Sequence, residues 1–227
     1  MIRENYDSET KLSWVLAALA GTLAAAAFTH SEGYFVTFMT GNAGRAVLGV
    51  FTDNQWLSIS AGALLLSFLA GVVTAAVCHR RVWPQRPHGA LILTAIALVT
   101  ATLVDWLVEG GPALPLPLLP ILLVAFGVGA LNTTFLRDGE VSIPLSYITG
   151  TVVKLGQGIE RHISGGGTVH DWLGYFLLFT GYVFGAFVGG CISLFAGGTW
   201  MLVMASGVCV LATFYTYGYV DRRGLWK

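Results

Sequence analysis

Apolar residues run through this chain in blocks too long for a soluble fold. Trp56–Val77 holds 22 residues without a charge, Leu114–Leu136 holds 23, and Trp172–Val220 holds 49. Crossing a hydrocarbon core of about 30 Å takes roughly 20 apolar helical residues, so the last block is long enough for two crossings. The pattern predicts six membrane-spanning helices: Leu12–Phe28, Trp56–Val77, Gly89–Leu107, Leu116–Leu136, Trp172–Phe195 and Thr199–Tyr219, with Phe195–Thr199 turning between the last two. Two further segments, Tyr34–Phe51 and Ile143–Ile159, are apolar but broken by glycines, and each carries one basic residue, Arg45 or Lys154. Either could cross the membrane, or enter it and return.

Basic residues decide between six and eight crossings. With six crossings and a cytoplasmic amino terminus, Arg3, Lys11, Arg80, Arg81, Arg86, Arg137, Lys154, Arg161, Arg222, Arg223 and Lys227 all fall inside, and Arg45 alone falls outside. Eight crossings would put the Arg3 end and the Arg222 tail outside. The positive-inside rule therefore favours six, with both termini cytoplasmic. Leu12–Phe28 is read as a retained helix, because its lead-in (Arg3, Glu4, Asp7, Glu9, Lys11) mixes signs rather than being basic.

Composition sharpens the class. The chain has 227 residues, 55% hydrophobic and 11% charged, and its mean hydropathy is +0.72. Soluble domains carry about a quarter charged residues. Net charge is zero, so no bulk field recruits nucleic acid. The lipid bilayer is the one partner that composition implies. Cys78, Cys191 and Cys209 lie within or at the ends of apolar runs without metal-type spacing, and read as small packing residues. No cofactor or metal is expected.

The chain also repeats. Met39-Thr40-Gly41-Asn42-Ala43-Gly44-Arg45 returns 109 residues on as Ile148-Thr149-Gly150-Thr151-Val152-Val153-Lys154. A ladder of small residues, Ser67, Gly71 and Ala75, is echoed 114 residues on by Gly181, Gly185 and Gly189. Such ladders let helices pack closely, within one subunit or in a homodimer. Each unit reads as one span, a broken segment and two spans, about 12–107 and about 116–220. Three crossings is an odd number, so the second unit is expected upside down. The expectation is an all-α polytopic membrane protein, a single domain of six helices plus two re-entrant or broken segments in a 3+3 inverted repeat.

The two Thr-Gly segments are the candidate site. Non-helical backbone at membrane depth is tolerated only where it is buried in protein or lines a watery cavity. In an inverted repeat the two breaks would meet near the midplane, aiming the positive ends of two half-helices at the centre. Thr40, Gly41, Asn42, Thr149, Gly150 and Thr151 would form the binding backbone, and Arg45 and Lys154 would set charge preference. That points to a small solute, anionic or carboxylate-bearing. The plainer alternative makes each Thr-Gly a tight turn and lets both cations snorkel to the interfaces. Asn132, an amide in an apolar span, would join helices or touch solute. His30 and Glu32 follow the first span and could relay protons. Asp105, Glu109, Asp138 and Glu140 read as interfacial. Trp14, Trp56, Trp83, Trp106, Trp172, Trp200 and Trp226 fall near span ends, as in aromatic belts.

Phe38-Met39-Thr40-Gly41-Asn42 and Tyr147-Ile148-Thr149-Gly150-Thr151, together with Gly129-Ala130-Leu131-Asn132 and Arg137, resemble the YoaK-like family of bacterial inner-membrane proteins, which lacks an established function. The resemblance covers nearly the whole chain. It implies the architecture and a bacterial inner (cytoplasmic) membrane, and it supplies no substrate. The family tends to carry an Asp in its first helix, where this chain has Ala24–Ala27, and a His before Met-Thr-Gly-Asn, where this chain has Phe38. Any proton coupling would then fall to His30 and Glu32.

A transporter or channel is thus the leading class. The chain carries no His-Glu-x-x-His, Gly-x-Ser-x-Gly or Walker-type loop, so it is not expected to be an enzyme. Two rivals stay open: an intramembrane enzyme for a lipid, using His30, Glu32 and Asp138, and a membrane assembly subunit.

Overall fold

A computed structural model describes residues 8–84, 86, 88–109, 116–137 and 139–221. Among them are eight α-helices: α1 Ser8–Thr29, α2 Met39–Phe51, α3 Gln55–Arg81, α4 His88–Glu109, α5 Leu118–Leu131, α6 Ile148–Ile163, α7 His170–Ser193 and α8 Gly198–Tyr215. A π-turn over Thr216–Asp221 follows α8, and a two-residue hairpin, β1 Leu136–Arg137 with β2 Glu140–Val141, joins α5 to α6. Five of the helices, α1, α3, α4, α7 and α8, are long and apolar enough to cross a membrane. Their outer faces carry large exposed apolar side chains, such as Leu66, Leu69 and Val73 on α3, Ile96 and Leu103 on α4, Val183, Phe184 and Phe187 on α7, and Leu211 and Phe214 on α8. Apolar surface on that scale suits lipid rather than water. The chain is an α-helical membrane protein.

The fourth expected span is shorter than its apolar run. Leu116–Leu136 is helical only over Leu118–Leu131, about 21 Å at 1.5 Å per residue, which falls short of a hydrocarbon core. Hydrogen bonds at its end explain the stop. The Thr133 and Thr134 hydroxyls turn back to the Ala130 and Leu131 carbonyls at 2.7 and 2.6 Å. Leu136 then pairs with Val141 across Gly139, which has φ +83°. α5 is buried along most of its length, so its apolar residues face protein instead of lipid.

α2 and α6 double back. The chain leaves α1 through a turn in which Gly33 takes φ +72° and Tyr34 N–H donates to the Ser31 hydroxyl. Phe28, Phe35 and Phe38 stack in series at 5.5 and 5.3 Å and fold this segment against the helix end. α2 then runs antiparallel to α3: Asn42 lies beside Ser60 and Leu64, whereas Gly49 abuts Asn54 and Ser58 at the start of α3. α2 therefore returns to the end at which α1 finished. α6 does the same on α7, with Lys154 above Tyr175 and Gly158 against Asp171 and Trp172.

Glycines interlock two parallel helix pairs. On α7, Gly181, Gly185 and Gly189 face Trp14, Ala18 and Thr22 of α1 in order, and Gly21 faces Tyr182 and Ala186 in return. The Thr22 hydroxyl donates to Gly185 O at 2.9 Å across the seam. On α3, the Ser67 hydroxyl donates to Leu122 O of α5 at 2.7 Å, Gly71 faces Phe126, and Gly129 faces Phe68 and Val72. Three contacts of one pair have a counterpart in the other, shifted 108 residues from α1 to α5 and 114 from α3 to α7: Trp14–Gly181 with Leu122–Ser67, Ala18–Gly185 with Phe126–Gly71, and Gly21 on Tyr182 and Ala186 with Gly129 on Phe68 and Val72. The ladders read from the sequence are thus engaged within the chain. The core divides along the bundle into a cluster around Leu16, Leu91, Leu131 and Leu178 and another around Leu23, Leu64, Leu98 and Val124.

Candidate functional site

A polar cavity of about 130 Å³ opens between α2, α3 and the segment leaving α1. Glu32, Tyr34, Asn42, Arg45, Trp56 and Ser60 supply its polar wall, and Ala61 and Leu64 form part of its floor. Helix α2 places Asn42 and Arg45 three residues apart, so both face α3. Asn42 is fully buried. Its amide nitrogen donates to Phe35 O at 2.7 Å, which fixes the amide's orientation and leaves Oδ1 without a hydrogen-bond partner. Leaving a buried acceptor unmet costs on the order of 1–3 kcal/mol, so this atom is a standing demand for a donor. Arg45 Nη1 donates to Gly33 O at 2.6 Å, and its guanidinium lies 4.0 Å above the Phe35 ring. Its remaining N–H groups are free to serve a solute.

Glu32, an exposed residue, lines the same cavity. One carboxylate oxygen accepts from the Tyr34 hydroxyl at 2.7 Å and the Trp56 indole N–H at 3.1 Å. These hydrogen bonds, Tyr34 first, hold the Glu32 carboxyl below its usual range. A carboxyl depressed in the folded state stabilises that state above the unfolded pKa and loses its contribution as pH falls through the folded value. The melting-temperature advantage of the wild type over Glu32→Gln is therefore expected to hold constant above about pH 5 and to shrink only below about pH 4.3. A difference that vanished near pH 6 would contradict it. Burial lowers the pKa of His30. His30 does not line the cavity that holds Glu32.

Of the residues expected from the sequence, this cavity gathers Asn42, Arg45 and Glu32. Thr40 is exposed, and Gly41 packs under the Phe38 ring. At the equivalent place in the second half, Thr149 is exposed, Gly150 packs under the Tyr147 ring, and buried Thr151 turns its hydroxyl to Tyr147 O at 3.2 Å. Lys154 is exposed, its ammonium 5.7 Å from the Tyr175 ring centre. α2 packs on α3 and α6 on α7, and among the described residues α2 with α6 is not one of the main packed pairs. Asn132 bridges backbone to backbone: it donates to Val128 O and the Ser146 hydroxyl, both at 2.8 Å, and accepts from Ser146 N–H at 3.0 Å. Asp138, named for the lipid-enzyme alternative, lies outside the described residues.

Sequence reading missed Tyr34, Trp56, Ser60 and Ala61. Trp56 was legible only as a belt residue, and nothing in the pattern marks Ala61. Ala61 nonetheless lines the cavity, and the residue 114 positions on is Tyr175, whose ring lies beneath Lys154. Asp105, near the end of α4, is fully buried, receives the Thr199 hydroxyl at 2.5 Å, and keeps Oδ1 without a partner.

No curated protein and no solved structure matches the chain. One family model does, over residues 12–215, under the description protein of unknown function, DUF1275. That match spans all eight helices and agrees with the resemblance read from the paired Thr-Gly motifs. The chain therefore belongs to the DUF1275 family of proteins of unknown function.

Proposed function

We propose that this protein is a membrane transporter or channel for a small polar solute, which it receives in the cavity between α2 and α3. The observation that carries the reading is the buried, unpartnered Asn42 Oδ1 beside Arg45 on a helix that enters the bundle and returns. Buried polar groups are otherwise hydrogen-bonded, and a polar hollow among apolar helices is costly unless something polar fills it. Two carboxylates or imidazoles converging on one hollow would favour an enzyme. Here the cavity holds one carboxylate, already engaged by Tyr34 and Trp56.

The architecture supports the same reading. The matched registers of the α1–α7 and α3–α5 seams fit two inverted units, one returning helix entering from each side. Lys11, Arg80, Arg81 and Arg161 mark the end of the bundle at which α1 and α7 begin and α3 ends, and Arg45 lies toward the other. That end is cytoplasmic by the positive-inside rule, in a bacterial inner membrane, and Arg45 faces out.

Purified protein in liposomes tests the reading. Swelling after an osmotic step, followed by light scattering, should show faster entry of small polar solutes than in protein-free vesicles. Ala61→Phe should slow that entry roughly tenfold or more, since filling the hollow costs at least about 1.4 kcal/mol of binding. Equal swelling with and without protein, across anions, cations, zwitterions and neutral solutes, would overturn the proposal.

A further inference from the structure

The cavity's lining carries both signs of charge, and this narrows the substrate. We infer that the solute is a small zwitterion, an ammonium and a carboxylate on one short carbon chain, held with its ammonium toward Glu32 and Asn42 Oδ1 and its carboxylate toward Arg45. The inference rests on the solute-binding reading of this cavity and goes beyond it in naming the class.

Three observations carry it. Asn42 lines the hollow with its Oδ1 buried and without a donor, so a solute that brings an N–H or O–H can meet it. A bare anion such as chloride or acetate brings none. Arg45 and Glu32 line the same hollow, so it presents both signs of charge to a solute. A simple anion would gain Arg45 and meet Glu32, and a simple cation would do the reverse. A molecule carrying both charges gains both. Size sets the third limit. One water needs roughly 10–15 Å³ of such space, so about 130 Å³ admits a solute of on the order of ten non-hydrogen atoms. A single atomic ion would leave most of it empty, and a lipid or peptide would not fit.

The free donors and acceptors agree. Tyr34 and Trp56 donate to one Glu32 oxygen, which leaves the other to accept from an ammonium. Arg45 keeps Nη2 and Nε after its bond to Gly33, enough to meet one carboxylate oxygen or both. Ala61 and Leu64 give the short apolar stem a dry floor.

The test is binding to the full-length protein in detergent, read by melting temperature and by isothermal calorimetry, with four probes of similar size. These are alanine as zwitterion, acetate as anion, ethylammonium as cation and acetamide as neutral donor. Alanine should bind at least tenfold more tightly than the other three. The charge variants provide a switch that a merely structural role would not produce: Glu32→Gln should weaken alanine tenfold or more and raise acetate, and Arg45→Gln should weaken alanine and raise ethylammonium. Ala61→Phe, which leaves both charges in place, should weaken every probe together. Preference for acetate over alanine in the wild type would overturn the zwitterion and leave a solute site standing. Equal binding of acetamide and alanine would likewise overturn it. Failure of all four probes, joined to unchanged swelling rates in Ala61→Phe liposomes, would overturn the site itself.

Discussion

Gly185→Leu should leave little or no folded protein. A Cβ at this position would lie 2.6 Å from Ala18 Cα and closer still to the Ala18 carbonyl oxygen. Both obstacles are backbone, so no side-chain rotation relieves them, and α1 and α7 must move apart. Separation would break the Thr22-to-Gly185 hydrogen bond and disturb the Gly181 and Gly189 contacts on either side. Overpacking of a close seam costs about 1–3 kcal/mol for a methylene or two, and more when backbone must shift. Gly71→Leu should do the same to the α3–α5 seam, where an added Cβ would lie 2.8 Å from the Phe126 carbonyl carbon. Gly190, about a turn and a half from Gly185 on the same helix's other face, has open space beside it, and Gly190→Leu should be nearly silent. Monodispersity in size-exclusion chromatography and the melting temperature of the soluble fraction read all three. A monodisperse Gly185→Leu protein melting within a few degrees of wild type would contradict this account of the seam.

Asn132→Leu is expected to have the next largest effect. Three hydrogen bonds leave with the amide, and two of them engage Ser146 just before the start of α6. Ser146 is buried, so its N–H and hydroxyl would lose their partners away from water. At about 1–3 kcal/mol for each buried group left unmet, the loss is a few kcal/mol. It should fall locally, because Asn132 ties the end of α5 to the segment that leads into α6. Hydrogen exchange should rise at residues 143–148 before it rises in α1 or α3. Asn132→Asp keeps the acceptor for Ser146 N–H and should recover part of the stability. Uniform exchange across the protein in Asn132→Leu would show that the amide holds the whole bundle rather than this joint.

The spans were legible because hydropathy reports the one thing lipid demands, an unbroken apolar exterior. Leu12–Phe28 and Trp56–Val77 became α1 and α3 with only their ends extended. The two glycine-broken segments were legible as exceptions, and the charge count favoured their turning back over their crossing. α5 misled for a physical reason: an apolar run says that residues avoid water and does not say whether protein or lipid covers them. Its end depends on Thr133, Thr134 and Asn132 hydrogen bonds that composition does not show. The site was half legible. Asn42 and Arg45 stood out because a polar amide and a cation are expensive in such surroundings. Ala61 could not stand out, since an alanine in an apolar run carries no such signal. Glu32 was named for protons, and its hydrogen-bond partners Tyr34 and Trp56 were not named with it. The burial of Asp105 was hidden for the same reason as that of α5, because position near a span end does not reveal burial.

The seam between α1 and α7 has a consequence for how the chain is made. Thr22 and its partner Gly185 are 163 residues apart, so α1 leaves the ribosome long before anything can cover its packing face. At about 5–20 residues per second, the wait lasts on the order of ten seconds or more. α3 waits far less, since α5 follows about 55 residues later. Neither sequence half owns a complete seam: the first supplies α1 and α3, the second α5 and α7. A gene cut between α4 and α5 would yield two fragments that each present glycine-lined faces without partners, and activity would return only when both are synthesised in one cell.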